Sequence, residues 1–278
     1  MPFLRPPKRR ERAIPPALKQ RLLTAAILAP PALLAVVLGP PWSDLLLMLL
    51  ATVMAWEWSR VCRRGMPFSL PDLVLTLAPP LILLLAIVLE FVGVIIGFGA
   101  ALVLLFLARQ ASLYRDANLA WLTAGLFYVS LPLLLLLWLR GDDGEGRDLV
   151  LWLLLVIWAV DSGAYAFGKA LGGPKLAPRW SPNKTWAGLL GGAASAVLVG
   201  WLVAEVLFME TPGFLALVGG FLAFIGQAGD LLESAFKRHF GVKDTSHLIP
   251  GHGGVLDRVD GLVAATYPLA VLVALGAL

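Results

Sequence analysis

Long apolar runs broken by short polar stretches dominate the chain. A bilayer-spanning helix needs about 20 mostly apolar residues. Runs of that kind fall at roughly 20–38, 42–62, 70–89, 91–108, 119–139, 148–169, 187–207, 212–234 and 255–277. Most are separated by Pro, Gly or charged residues, which break helices or favour water. The third and fourth almost touch at Glu90, where one long bent hairpin is the alternative. The pattern predicts an all-α, polytopic integral membrane protein with about nine transmembrane helices.

The basic residues orient these spans. Arg5, Lys8, Arg9, Arg10, Arg12, Lys19 and Arg21 precede or open the first run, which places the N-terminus in the cytoplasm. With nine spans, Arg60, Arg63, Arg64, Arg109, Arg115, Lys169, Lys175, Arg179, Lys184, Lys237, Arg238, Lys243 and Arg258 fall on that same side. Of 22 Lys and Arg residues, only Arg140 and Arg147 then lie outside, in a loop with Asp142, Asp143, Glu145 and Asp148. Merging two spans would send the later basic loops outward, so nine is favoured. A basic stretch before an apolar run can also mark a signal peptide. Here Pro30 and Pro31 interrupt the run and no small-residue cleavage site follows, so it reads as a retained helix. The expected organisation is a mobile, basic, Pro-rich segment at 1–19, helices 1–5 over 20–147, and helices 6–9 with cytoplasmic substrate loops over 148–278.

Composition agrees, with 59% hydrophobic and only 14% charged residues. A soluble domain carries about a quarter charged residues, so much of this surface must face lipid. The net charge of +4 is small and serves topology, which argues against nucleic acid. A single cysteine, Cys62, excludes an intrachain disulfide, and no histidine is spaced to build a zinc site around it.

Polar residues inside the spans carry the chemistry. An Asp at a helix centre costs about 2.5–3.5 kcal/mol on insertion scales, so such residues tend to mark function. Asp161, Tyr165 and Lys169 recur at helical spacing in the sixth span. Gln227, Asp230, Ser234 and Lys237 do the same in the eighth. His239, Lys243, Asp244, His247 and the turn Pro250-Gly251-His252-Gly253-Gly254 follow, and Asp257, Arg258 and Asp260 open the ninth. Snorkelling explains Arg60, Arg63, Arg64, Arg109 and Arg115. It does not explain short Asp side chains gathered at one depth. Their mutual repulsion points to a bound cation, and carboxylate oxygens suit Mg²⁺. For Glu57, a lone acid before Trp58, structural and functional roles remain equally open.

Two turns add an anion-binding character. Lys175 to Thr185 leads directly into the seventh span, where Ser181 or Thr185 can cap a helix whose free N–H groups attract phosphate. Gly251, Gly253 and Gly254 allow close backbone approach ahead of the ninth. Acids suited to Mg²⁺ between two such turns point to a nucleotide or polyphosphate. There is no P-loop pattern.

Ser234, Lys237-Arg238, Lys243-Asp244, Pro250-Gly251-His252-Gly253-Gly254 and Asp257-Arg258-Val259-Asp260 together resemble the signature of the CDP-diacylglycerol synthases, or phosphatidate cytidylyltransferases. Asp161-Ser162 with Tyr165, Gly168 and Lys169 resembles the same family, as does Lys175-Leu176 with Ser181-Pro182-Asn183-Lys184-Thr185 and Gly188. The resemblance covers about 148–260. Ala187 departs from it, since relatives often carry an acid there. The resemblance implies condensation of CTP with phosphatidate to CDP-diacylglycerol and pyrophosphate, with Mg²⁺ and room for a second cation. It assigns metal binding to Asp230 and Asp257, with Lys237, Lys243 and Arg258 as further catalytic groups. Asp161, Lys175, Ser181, Asn183, Lys184, Thr185, Ser234, Arg238, His252 and Asp260 become candidate substrate-binding residues. The expected location is a bacterial plasma (inner) membrane with the active site facing the cytoplasm and phosphatidate in the inner leaflet. A homodimer is among the assemblies allowed.

Three other readings fit less well. A CDP-alcohol phosphotransferase needs Asp-Gly-x-x-Ala-Arg and later aspartates, and the chain after Asp260-Gly261 has neither. A polyprenol or phytol kinase shares the metal logic but lacks the motifs at 234–260. A transporter predicts inverted repeats and mid-membrane polar sites, whereas these polar residues gather towards one face.

Overall fold

The computed structural model describes residues 16–111, 118–141, 143–249 and 253–278. His252, Pro250, Gly251, Arg115, Asp142 and residues 1–15 of the N-terminal segment lie outside these. Eight helices run in chain order: α1 (Pro16–Leu38), α2 (Trp42–Cys62), α3 (Leu70–Ala111), α4 (Leu119–Arg140), α5 (Gly144–Leu171), α6 (Trp186–Val206), α7 (Pro212–His239) and α8 (Leu256–Ala274). Two short strands, β1 (Lys175–Ala177) and β2 (Ser181–Thr185), separate α5 from α6.

Among the described residues, α2 to α7 are each long and apolar enough to cross a membrane. Phe91, Leu104, Leu198 and Leu217 point outward from them, as expected where the surrounding solvent is hydrocarbon. The chain is an integral membrane protein.

The long α3 is not straight. Glu90 adopts φ 53° and ψ −137°, outside the helical region. Beyond it the chain folds back, with Gly93 against Leu85 and Gly97 against Ile82. In an uninterrupted helix, residues 82 and 97 would lie about 22 Å apart. The two halves therefore pack side by side, and the absence of side chains at Gly93 and Gly97 permits the contact.

The strands correct the expectation of purely helical structure. β1 and β2 form an antiparallel hairpin in which Lys175 faces Thr185 and Ala177 faces Ser181. Pro178 and Pro182 disfavour a helix through this segment, and its polar residues have no apolar stripe to bury. Thr185 ends the hairpin and caps α6, its Oγ1 accepting the Gly188 N–H at 3.1 Å.

Several contacts fix which helix ends lie together. Trp58 near the end of α2 stacks on Phe236 near the end of α7, with ring centroids 4.0 Å apart. Its Nε1 donates to the Trp121 carbonyl at the start of α4 at 2.8 Å. Arg64 donates to the His239 carbonyl at 3.4 Å and lies over the Phe240 ring. At the far end of α4, buried Arg140 instead donates from Nε to the Val36 carbonyl at 2.8 Å. Arg60, Arg63 and Arg64 thus share an end with Lys237 and Arg238, while Arg140 sits at the opposite one.

Candidate active site

Small residues bring α7 and α8 close enough to form the site. A Cβ on Gly229 would strike Ala264 and come 3.0 Å from the Asp260 carbonyl. Gly226 similarly lies against Gly261. Such small-residue contacts let helix backbones approach closely, and here they bring Asp230 of α7 beside Asp260 of α8. One oxygen from each of Asp230, Glu233 and Asp260 lies within 4.8 Å of the others. A polar cavity of about 260 Å³ opens over this contact, lined by Asp161, Asp230, Lys237, Asp244, Asp257, Arg258 and Asp260.

Lysines thread between the acids. Lys237 Nζ lies 2.6 Å from Asp257 Oδ1 and 3.0 Å from Glu233 Oε2, with all three side chains largely buried. Lys184 reaches from β2 to Asp230 Oδ2 at 2.5 Å, and Ser234 donates to Asp230 Oδ1 at 3.4 Å. The other oxygen of Asp257 is occupied by the loop before α8. It accepts from Thr245 N at 3.0 Å, Thr245 Oγ1 at 3.0 Å and Gly254 N at 2.8 Å. Asp257 therefore offers oxygens already held by protein donors. Glu233 Oε1, by contrast, is buried without a hydrogen-bond partner.

The residues singled out from sequence divide into two groups. Asp161, Asp230, Lys237, Asp257, Arg258 and Asp260 surround the cavity, while Lys184 and Ser234 touch it through Asp230. The second group is more peripheral. Lys175, Ser181 and Asn183 sit on the hairpin and do not line the cavity. Exposed Lys243 immediately precedes the lining residue Asp244. Arg238 donates to the Val242 carbonyl at 3.0 Å, so it braces the loop that follows α7.

Glu233 and Thr245 were not anticipated. Glu233 is four residues before Lys237 and three after Asp230, which puts it on the same helical face. An acid inside a membrane helix was the available signal, and in the fold the residue is only 2% exposed. Thr245 carried none, because only the folded loop brings it to Asp257.

An acid-lined cavity between membrane helices, crossed by lysines, is the setting of a membrane-embedded enzyme. A family model places the chain within that class: it matches residues 19–275, and the chain belongs to the cytidylyltransferase family. The phosphatidate cytidylyltransferase of Brucella suis is 47% identical over 175 residues, 62% of this chain and 65% of that protein. The alignment thus spans just under two thirds of the Brucella protein. The Bacillus subtilis phosphatidate cytidylyltransferase is 33% identical over 265 residues, 93% of this chain and 98% of that protein. That of Haemophilus influenzae is 34% identical over 276 residues, covering 89% and 96% respectively.

Proposed function

We propose that this protein is a phosphatidate cytidylyltransferase, condensing CTP with phosphatidate to give CDP-diacylglycerol and pyrophosphate. The observation that carries this reading is the polar cavity at the α7–α8 contact, which Lys237, Asp244, Asp257, Arg258 and Asp260 of the signature line, in a chain similar to relatives of that name over nearly its full length.

The chemistry is a displacement at phosphorus. A phosphate oxygen of phosphatidate forms a bond to the α-phosphorus of CTP, and the bond from that phosphorus to the oxygen bridging to the β-phosphate breaks. The electron pair leaves with pyrophosphate. The nucleophile is already ionised near neutral pH, so no strong general base is needed. The obstacle is bringing two anions together, and charge placed around the phosphates lowers it. Lys184, Lys237 and Arg258 supply fixed positive charge at the cavity.

The donor set also suits Mg²⁺, the cofactor we assign, with a second cation allowed by the same acids. Asp230, Glu233 and Asp260 offer hard oxygens at mutual distances compatible with one ion. Glu233 Oε1 is a buried oxygen in want of a partner. When bound there, Mg²⁺ would neutralise charge on the triphosphate. Asp257, to which the resemblance assigns metal binding, has both oxygens held by Lys237, Thr245 and Gly254, so we give it instead the role of holding Lys237 and the loop before α8 in register.

Nine passes, with a cytoplasmic N-terminus, are the topology we adopt. The reversal at Glu90 supplies the extra pass that the charge pattern requires, and Arg60 to Arg64 share an end with Lys237 and Arg238. On this topology the cavity faces the cytoplasm in a bacterial inner membrane. Asp161 lies ten residues before the end of α5, about 15 Å along its axis. However, α5 and α7, with 28 residues each, outrun a hydrocarbon layer of about 30 Å. The cavity thus lies within reach of both aqueous CTP and the inner-leaflet phosphate.

Purified protein in detergent, given labelled CTP and phosphatidate with Mg²⁺, should release CDP-diacylglycerol and pyrophosphate. Asp230→Asn should abolish turnover while the protein remains folded. Phosphorylation of a lipid alcohol instead, or no transfer by the wild-type protein, would overturn the assignment.

A further inference from the structure

Glu57 sits in α2, far in sequence from the signature, with no exposed surface. A buried carboxylate is costly unless it is paired or hydrogen-bonded. Here four donors surround it, all from the segment between α7 and α8 or from the start of α8. Oε1 accepts from Ser246 Oγ at 2.5 Å and from the Val255 N–H at 2.9 Å. Oε2 accepts from the Leu256 N–H at 2.7 Å and from Thr245 Oγ1 at 3.3 Å. The Val255 and Leu256 amides belong to the first turn of α8, which has no capping side chain of its own. Glu57 caps that helix from another element, where its charge also meets the positive end of the helix dipole.

The same contacts lead to the cavity. Thr245 Oγ1 lies between Glu57 Oε2 and Asp257 Oδ2, its single proton shared between the two carboxylates, and Asp257 Oδ1 holds Lys237. Gly254 lies so close to Thr245 and Glu57 that a Cβ there would collide with both. Shifting Glu57 therefore shifts Thr245, the Gly254 amide and the donors that orient Asp257. We infer that Glu57 is a positioning residue for the reaction, fixing the loop before α8 so that Asp257 and Lys237 keep their place at the cavity. The inference rests on the cytidylyltransferase reading and adds to it a residue from the N-terminal half.

Glu57→Gln gives a sharp test. The two backbone N–H donors approach different oxygens, so either orientation of the Gln amide points its NH₂ at one of them. Hydroxyls can rotate to accept instead; backbone N–H groups cannot. The full-length variant in detergent should lose about 10–100-fold in kcat, with KM for phosphatidate changed less than about twofold. Amide hydrogen exchange in the absence of nucleotide and metal should speed up at 243–249 and 253–257 and stay unchanged in α4. A generally weakened fold would instead raise exchange throughout and leave kcat per folded molecule intact. Folded Glu57→Gln with wild-type kcat and wild-type exchange at 243–249 and 253–257 overturns the proposal. Should that variant fail to fold, Ser246→Ala decides, since it removes one donor and leaves α2 unaltered. Faster loop exchange with reduced kcat supports the role, and normal values for both refute it. If the wild-type protein makes no CDP-diacylglycerol, the functional reading fails, while loop exchange still tests whether Glu57 holds the segment.

Discussion

Replacing Lys237 with Met tests the electrostatic reasoning most directly. Lys237 Nζ lies 3.0 Å from Glu233 Oε2 and 2.6 Å from Asp257 Oδ1, with the Glu233 and Asp257 side chains 0% and 4% exposed. Met fills much of the same space but carries no charge, so two buried carboxylates lose the cation between them. Asp257 retains three donors on Oδ2. Glu233 fares worse, because its Oε1 already lacks a hydrogen-bond partner. Removing one member of a buried pair costs about 3–5 kcal/mol, mostly as the penalty of the charge left behind. For a chain of this size that lowers the thermal midpoint by something on the order of 10 °C. Thermal unfolding in detergent, followed by tryptophan fluorescence, reads the shift. Glu233→Gln combined with Lys237→Met should recover a large part of the lost stability, because the stranded charge is gone. Turnover should remain lost in both. If Lys237→Met unfolded at the wild-type temperature, or the double variant were less stable than the single, the buried triad would not be organised as argued.

Two further substitutions probe how the site is assembled. Gly229→Leu should force α7 and α8 apart, destabilising by about 1–3 kcal/mol or more and abolishing turnover because Asp230 and Asp260 separate; the thermal midpoint and product formation measure both. Thr185→Ala removes the cap on α6 and should cost about 0.5–2 kcal/mol, seen as a lower thermal midpoint. An unchanged midpoint would show that the cap contributes nothing to holding the hairpin against α6.

How much of this was legible in the sequence depends on whether a feature is local. The spans follow from apolar run length, and α2, α4 and α6 keep close to their expected bounds, because lipid imposes a single length rule on each run. Asp161, Asp230, Asp257 and Asp260 were recognisable as a group because helical spacing fixes the face each occupies, and a short acid inside a span needs a reason to be there. The hairpin was not legible, because Lys175–Thr185 is too short and too polar for strand periodicity to emerge. Glu233 was overlooked because Ser234, one residue on, fits the spacing of the Asp230–Lys237 stripe equally well. Thr245 and the ligands of Glu57 are tertiary facts. No local pattern predicts which loop hydroxyl an acid 188 residues away will meet.

That last contact bears on why the N-terminal helices belong to the enzyme at all. The signature lies wholly in α7, α8 and the loop between them, and a resemblance confined to 148–260 would treat α1 to α4 as a membrane anchor. The packing argues otherwise. Trp58 stacks on Phe236, one turn of α7 beyond Glu233, and donates to Trp121 of α4. Glu57, its neighbour, holds the start of α8. Successive residues of α2 thus grip the end of one signature helix and the beginning of the next, and the loop they bracket carries the donors for Asp257. A flexible loop could not hold Asp257 and Lys237 in register, since small displacements of charged groups are costly to catalysis. The N-terminal half is therefore the rigid wall against which the active-site loop is set.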